Sequence, residues 1–204
     1  MSGIKTIFWD VGGVLLSNAW DHTERNSALA NFGLNATDFE ARHEMVVSSF
    51  ERGKISLDQY LERTVFYQPH PFTMQAFKDY MFTLSSPKPD ILQIAQALKR
   101  SCDLDMATLN NESRELNQYR IQKFGLIDIF DFFVSSCYVG LRKPEDGIYK
   151  LALDLAQEPP EACCFIDDRP INLETAARLG INTIRMVNAA QLKEDLQKLG
   201  VMVA

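Results

Sequence analysis

The sequence predicts an α/β fold: a parallel sheet with helices on both faces, interrupted after its first strand by a small all-α helical bundle. Three observations predict it. The apolar run Ile4-Lys5-Thr6-Ile7-Phe8-Trp9 ends in a single carboxylate, Asp10, and turns at once through Val11-Gly12-Gly13. Such runs read as interior strands of a parallel sheet, whose ligands bind beyond the carboxyl ends. Residues 18–85 then carry no strand-like run, only amphipathic helical spacing. From Pro87 onward helical and apolar segments alternate, the rhythm of parallel strands joined by right-handed crossovers.

Taken in order, the first helix of the insertion is expected over 24–32, where Ala28, Leu29 and Phe32 share a face. A second over 36–50 aligns Phe39, His43, Val46, Val47 and Phe50, with Thr37 as its expected cap. Gly53 breaks that pattern, Ser56 caps a third helix over 57–66, and a fourth runs over 72–84. Four short amphipathic helices in succession make a bundle. Beyond it, helices are expected over 90–100, 113–124, 145–156, 173–179 and 189–199, and strands over 104–109, 130–135, 162–166 and 182–186. Gly125 and Gly180 stand where helices end. The core is therefore expected from residues 1–17 and 86–204, with 18–85 lying over the carboxyl ends of its strands as a cap.

Composition bounds the function. The 204 residues suffice for one well-buried core with an insertion, and 46% hydrophobic with 24% charged residues is ordinary for a globular protein. With 21 Lys and Arg against 27 Asp and Glu, net −6, and no basic run, nothing attracts nucleic acid or an anionic membrane, so an anionic substrate needs a local positive site. No apolar stretch reaches the roughly 18 residues of a membrane span and no signal peptide precedes the first strand, so a cytoplasmic protein, monomer or homodimer, is expected. Cys102, Cys137, Cys163 and Cys164 lack metal-site spacing and read as small buried hydrophobes, while His22, His43 and His70 are scattered.

Three further polar clusters fall at strand ends or helix starts: Asn110-Asn111-Glu112-Ser113, Arg142-Lys143-Pro144 and Asp167-Asp168-Arg169-Pro170. Each alone is an ordinary turn or helix cap. In an open parallel sheet, however, all three converge on Asp10.

With these residues the chain resembles the haloacid dehalogenase superfamily, in the subclass with a small helical cap after the first strand, and the likeness spans essentially the whole length. The matching motifs are Phe8-Trp9-Asp10-Val11-Gly12-Gly13, Leu109-Asn110-Asn111, Gly140-Leu141-Arg142-Lys143-Pro144 and Phe165-Ile166-Asp167-Asp168-Arg169-Pro170-Ile171-Asn172. The resemblance implies a Rossmann-like core and a Mg²⁺-dependent phosphatase of small phosphorylated, sugar-phosphate-like metabolites, working through an aspartyl-phosphate. Asp10 is then the nucleophile and Lys143 the cation that offsets its charge. Asp10, the backbone carbonyl of Gly12 and Asp168 would hold the metal, a hard cation suited by oxygen ligands. Asn110, Asn111 and the backbone N–H groups at Gly12 and Gly13 would hold phosphate oxygens, with Asp167 orienting Lys143 and Asn172 supporting the metal site.

Two positions depart from the pattern. Most such phosphatases carry an acid–base aspartate two residues after the nucleophile, where this chain has Gly12, and a Thr or Ser where it has Asn110. General acid–base help is worth about 10² to 10⁴ in rate. A branch of the superfamily with Asp-x-Gly-Gly nonetheless resembles sugar-phosphate phosphatases. A metal-free 2-haloacid dehalogenase and a non-catalytic binding protein on the same fold stay open, the former opposed by Asp167-Asp168, since an anionic substrate gains nothing from an extra desolvated carboxylate. For contact with the leaving group, Trp20, Phe50, Arg52 and Tyr67 are candidates, and helical spacing alone does not separate them from cap core or surface. At position 12 a glycine also leaves open backbone angles that an aspartate adopts only with strain.

Overall fold

The computed structural model describes residues 3–203. Its centre is a five-stranded, wholly parallel sheet in the order β3-β2-β1-β4-β5. The strands are β1 Thr6–Trp9, β2 Asp105–Asn110, β3 Phe132–Ser135, β4 Cys163–Asp167 and β5 Asn182–Arg185. All four residues of β1 are fully buried, as a central strand covered on both faces requires.

The two faces follow from the two-residue period of a strand. Ile7 and Trp9 of β1 and Cys164 and Ile166 of β4 point to one side. There they pack against α5, Pro89–Ser101, through Ile91, Ile94 and Leu98, and against α10, Ala189–Lys198, through Leu192 and Leu196. Phe8, Cys163 and Phe165 point to the other side, where α8, Asp146–Ala156, and α9, Pro170–Arg178, contribute Ile148, Tyr149, Ala152 and Ala176. Between β2 and β3 lies α6, Arg114–Lys123, and a short α7, Ser136–Val139, follows β3. That one-turn helix was not expected, being too short to show a period.

Four helices, α1 His22–Asn31, α2 Ala36–Glu51, α3 Leu57–Thr64 and α4 Met74–Thr83, form the insertion. They enclose their own aromatic core around Trp20, Phe39, Tyr60 and Phe77, which Leu116 of α6 joins from below. Caps fix the helix starts. Ser56 and Gln59 make a reciprocal capping box on α3, and Thr73 accepts from the Ala76 N–H at 3.1 Å, so α4 begins after Phe72. Thr37, expected to cap α2, lies inside the helix; Asn35 takes the role, accepting from the Asp38 N–H at 2.9 Å. Similarly α9 begins at Pro170 rather than 173, because proline is tolerated in the first turn. The chain leaves and re-enters the core at neighbouring points: Ser17 N–H donates to Ser86 O at 2.8 Å and Lys88 N–H to Leu15 O at 2.9 Å.

Cys137, Cys163 and Cys164 are buried as expected, whereas Cys102 is partly exposed at the end of α5. No helix among the described residues is long and apolar enough to cross a membrane.

Candidate functional site

Parallel pairing of β1 with β2 and β4 puts their last residues side by side at the carboxyl edge of the sheet. Asp10, immediately after β1, is therefore brought against Asp167, the last residue of β4, and Asp168 after it. Each of these three side chains offers a carboxylate oxygen within 4.8 Å of the others. Lys143, on the loop before α8 and 2% exposed, inserts its ammonium between two of them, 2.9 Å from Asp10 Oδ1 and 2.6 Å from Asp167 Oδ2. Asp10 Oδ1 also accepts from the Val11 N–H at 2.8 Å. Asp167 is saturated by protein donors: besides Lys143 it accepts from the Arg169 N–H at 2.8 Å and from Asn172 Nδ2 at 3.1 and 3.0 Å.

Asp168 is in the opposite condition. Its Oδ1 is buried without a hydrogen-bond partner, and its carboxylate lies against the backbone of Gly13. That glycine has φ +75°, and a Cβ there would stand 2.6 Å from the Asp168 Cγ and closer still to Oδ2. Both the conformation and the space demand glycine. Gly12 is different: its φ is not left-handed, and the nearest atoms to a Cβ there, Asn18 Oδ1 at 3.5 Å, Asn18 Cα at 3.7 Å and Arg120 Nη1 at 3.8 Å, are at ordinary contact distance. The strain anticipated for a side chain at position 12 is thus absent.

Three carboxylates face one ammonium here, and the titration of the group reflects that imbalance. Burial, opposed by Lys143 and reinforced by Asp167, pushes Asp10 up to about 7. Asp168 is likewise raised, by burial and then by the charge of Asp167. Burial works against the Lys143 ammonium, but Asp10 and Asp167 outweigh it and hold its pKa above the ordinary lysine value. A bare buried oxygen on Asp168, beside a second carboxylate whose Oδ2 accepts no hydrogen bond from the described residues, suits a hard divalent cation.

The two asparagines after β2 part company. Asn111 lines the cavity above Asp10, but its amide is engaged with the backbone of Lys143, accepting from the N–H at 2.8 Å and donating to the carbonyl at 2.9 Å. It therefore fixes the lysine loop. Asn110, expected to hold phosphate, does not line the cavity; it is 1% exposed, donates to Asn117 Oδ1 at 3.1 Å and accepts from Ser135 Oγ at 3.0 Å. Its side chain is committed to a buried network between β2, β3 and α6.

A cavity of about 310 Å³ opens between this edge and the insertion. Of the four residues considered for leaving-group contact, Trp20 and Phe50 line it. Arg52 does not: it donates to the Gly140 carbonyl at 2.8 Å and pairs with Glu145. Tyr67 lies away from it too, bonded to Asp38 under Arg42. The wall also holds His43, Glu51, Arg120, Arg142 and Arg169, to none of which the sequence gave a role at the site. Arg142 pairs with Glu51 at 2.9 Å and Arg169 with Asp21 at 2.6 Å, tying the edges of two motifs to the insertion. Arg120, 2% exposed, pairs with Glu112 and donates to the Ser17 carbonyl at 2.5 Å, filling the space beside Gly12. Burial raises the pKa of both Glu51 and Glu112 against the pull of their arginine partners. No sequence signal marked Arg120, because its helix carries no apolar stripe that would assign an arginine to the buried side.

Residues 4–180 match the family of haloacid dehalogenase-like hydrolases. Among curated relatives, flavin mononucleotide hydrolase 1 of Arabidopsis thaliana is 29% identical over 165 residues, which cover 81% of this chain and 66% of the relative. Bifunctional epoxide hydrolase 2 of Rattus norvegicus is 28% identical over 216 residues, covering 96% of this chain but 39% of the relative. The chain thus spans less than two thirds of the length of these relatives. A HAD family enzyme from Bacteroides thetaiotaomicron has the same fold, with a TM-score of 0.79 at 21% identity over 91% of this chain and 94% of that one. A complex of the latter enzyme with magnesium and inorganic phosphate superposes with a TM-score of 0.74 at 22% identity, covering 91% and 95%.

Substituting the two glycines should separate their roles. Gly13→Ala is expected to lower unfolding free energy by more than about 1 kcal/mol in urea titrations, from left-handed strain and displacement of Asp168, and Gly12→Ala by less than about 0.5 kcal/mol; equal losses would contradict the geometry. The acidic cluster predicts a pH effect of definite sign. Because folding raises the pKa of Asp10, its favourable contribution is complete below the unfolded value of 3.8 and lost as pH rises through about 7. Added Mg²⁺ should hence raise Tm little at pH 5.5 and much more at pH 8, and a shift that shrinks with rising pH contradicts a cation held by these carboxylates.

Proposed function

We propose, from the premise that this chain belongs to the haloacid dehalogenase-like hydrolase family, that it is a Mg²⁺-dependent phosphatase of small phosphate monoesters. The observation that carries this reading is the pairing of a lysine-held carboxylate, Asp10, with a half-buried one, Asp168, whose Oδ1 is sealed and unpartnered, at the same sheet edge. A reaction that brings an anionic phosphate against a carboxylate needs positive charge beyond what Lys143 supplies. Asp10, Asp168 and the Gly12 carbonyl are the oxygens that would hold a cation, and when bound Mg²⁺ would neutralise charge between nucleophile and phosphate. Support for a phosphorylated substrate comes from the flavin mononucleotide hydrolase and from the magnesium and phosphate complex of the bacterial neighbour.

On this reading the two oxygens of the Asp10 carboxylate divide between holding the cation and attacking phosphorus, while Lys143 and the Val11 N–H fix the group in place through Oδ1. The P–O bond to the leaving alcohol breaks as the carboxylate–phosphorus bond forms, and the alkoxide takes up a proton. Water then cleaves the acyl phosphate, returning the carboxylate and releasing phosphate. Asp167 keeps Lys143 aimed, and Asn172 and the Arg169 N–H keep Asp167 in place. With Asn110 turned away, N–H groups of the turn after Asp10 are the donors left for phosphate oxygens. Residues 18–85 act as the cap that closes over the ester, a division that the paired linkers at Ser17 and Ser86 support.

Asp10→Asn should abolish hydrolysis of p-nitrophenyl phosphate in a variant that still folds cooperatively, and Asp168→Ala should raise the Mg²⁺ needed for half-maximal rate at least about tenfold. Turnover that persists in EDTA, above all on a 2-haloacid, would instead favour attack on carbon. A second expectation concerns the missing acid–base group. Wild type should hydrolyse p-nitrophenyl phosphate better than glycerol 3-phosphate, because a good leaving group needs little protonation. Since a Cβ fits at position 12, Gly12→Asp should speed the alkyl ester about tenfold or more. A strong wild-type preference for the alkyl ester, with no gain in a folded Gly12→Asp, means that another group already supplies the proton.

A further inference from the structure

Above Asp10, on the insertion side of the cavity, three polar side chains form a chain whose hydrogens can be assigned. Trp20 Nε1–H donates to the Tyr60 hydroxyl oxygen at 3.0 Å, and the same oxygen lies 2.8 Å from Nδ1 of His43. An indole nitrogen only donates, so the tyrosine oxygen is an acceptor towards Trp20. Tyr60 is fully buried, stacked on Phe50 with ring centroids 4.1 Å apart. Its own proton has His43 Nδ1 as its partner, and leaving a buried hydroxyl proton unpaired costs free energy. Nδ1 must then be bare, and the ring's proton sits on Nε2. Burial, with the nearby Arg25 guanidinium adding to it, pushes the imidazole pKa down to about 4, so the ring is neutral. Arg25 is itself anchored, to Glu40 at 2.8 and 2.9 Å and to the Trp20 carbonyl at 3.0 Å. Phe39 stacks on the imidazole at 6.0 Å and Tyr60 meets it edge-on, which fixes the ring plane.

The geometry points to His43 as a substrate-binding residue that presents a fixed, neutral Nε2–H donor to an acceptor oxygen on the leaving group, a hydroxyl or carboxylate distal to the phosphate. This rests on the phosphatase reading. His43 lines the cavity, Nε2 bonds to no protein group among the described residues, and Nε2 is not among the sealed, unpartnered atoms of the interior. A neutral imidazole N–H is a very weak acid, so the role is recognition and not proton transfer. Trp20 and Tyr60 are positioning residues that set the tautomer.

Long-range ¹H–¹⁵N NMR of the 204-residue chain at pH 7 reads the tautomer directly. One imidazole should be neutral and protonated at Nε2, assigned by its disappearance in His43→Gln; an Nδ1–H ring or an imidazolium at His43 overturns the proposal whatever the activity. Kinetics with Mg²⁺ on a matched pair, glycerol 3-phosphate and propyl phosphate, reads the recognition. His43→Phe should reduce the kcat/KM ratio of the first ester to the second about tenfold, through KM, as expected for one neutral hydrogen bond. His43→Gln, whose amide can accept from Tyr60 and donate into the cavity, should restore much of it. An equal fall on both esters overturns the recognition role. Inertness towards both esters and p-nitrophenyl phosphate removes the phosphatase reading, and the imidazole spectrum then decides the donor assignment alone.

Discussion

Lys143 is 2% exposed and its ammonium bridges Asp10 and Asp167, so β1, β4 and the loop before α8 cannot separate without leaving a charge buried and unpaired. Breaking such a pair from one side costs about 3–5 kcal/mol, far more than an exposed ion pair contributes. The supporting contacts are arranged around that one amine. Asn111 grips the lysine backbone on both its N–H and its carbonyl, and Asn172 and the Arg169 N–H hold Asp167 from behind. Asp167 is thereby spent as a structural counter-charge, and Asp168 is left as the carboxylate with an open oxygen.

The adjacent glycines do different work at this edge. Gly13 is required by a left-handed φ of +75° and by the Asp168 carboxylate lying against it, which is how the turn after β1 and the end of β4 approach so closely. Gly12 meets neither demand. The space a side chain would enter from Gly12 is bounded by Asn18 and by Arg120, whose guanidinium is neutralised by Glu112. A buried ion pair thus borders the place where related phosphatases carry an acid–base aspartate.

Charged contacts as well as apolar packing join the insertion to the edge of the sheet. Arg142–Glu51 and Arg169–Asp21 join motif residues to the bundle, Arg52 reaches the Gly140 carbonyl and Glu145, and Ser136 Oγ donates to the Glu51 carbonyl at 2.6 Å. The arginines that join the insertion to the sheet edge also line or border the cavity. An anionic ester entering it would meet guanidinium groups already held by Glu51 and Asp21, and these carboxylates would have to share them. On the phosphatase reading, substrate binding and the position of the bundle would be coupled through the same side chains.

The sequence determined the sheet, its flanking helices and the intervening bundle, because period-2 and period-3.6 patterns are local and the polar clusters sit at strand–helix junctions. It also determined which acidic and basic residues gather at one edge, since parallel topology sends every strand end there. Tertiary structure alone decided the direction of individual side chains. Asn110 and Asn111 are neighbours of the same type, yet Ser135 and Asn117 draw one into the interior while the Lys143 backbone draws the other to the cavity wall. Likewise Phe39, His43 and Phe50 share the buried side of α2, and periodicity cannot tell the core of the bundle from the wall of a cavity. That distinction depends on what packs opposite each residue, which is set by elements distant in the chain.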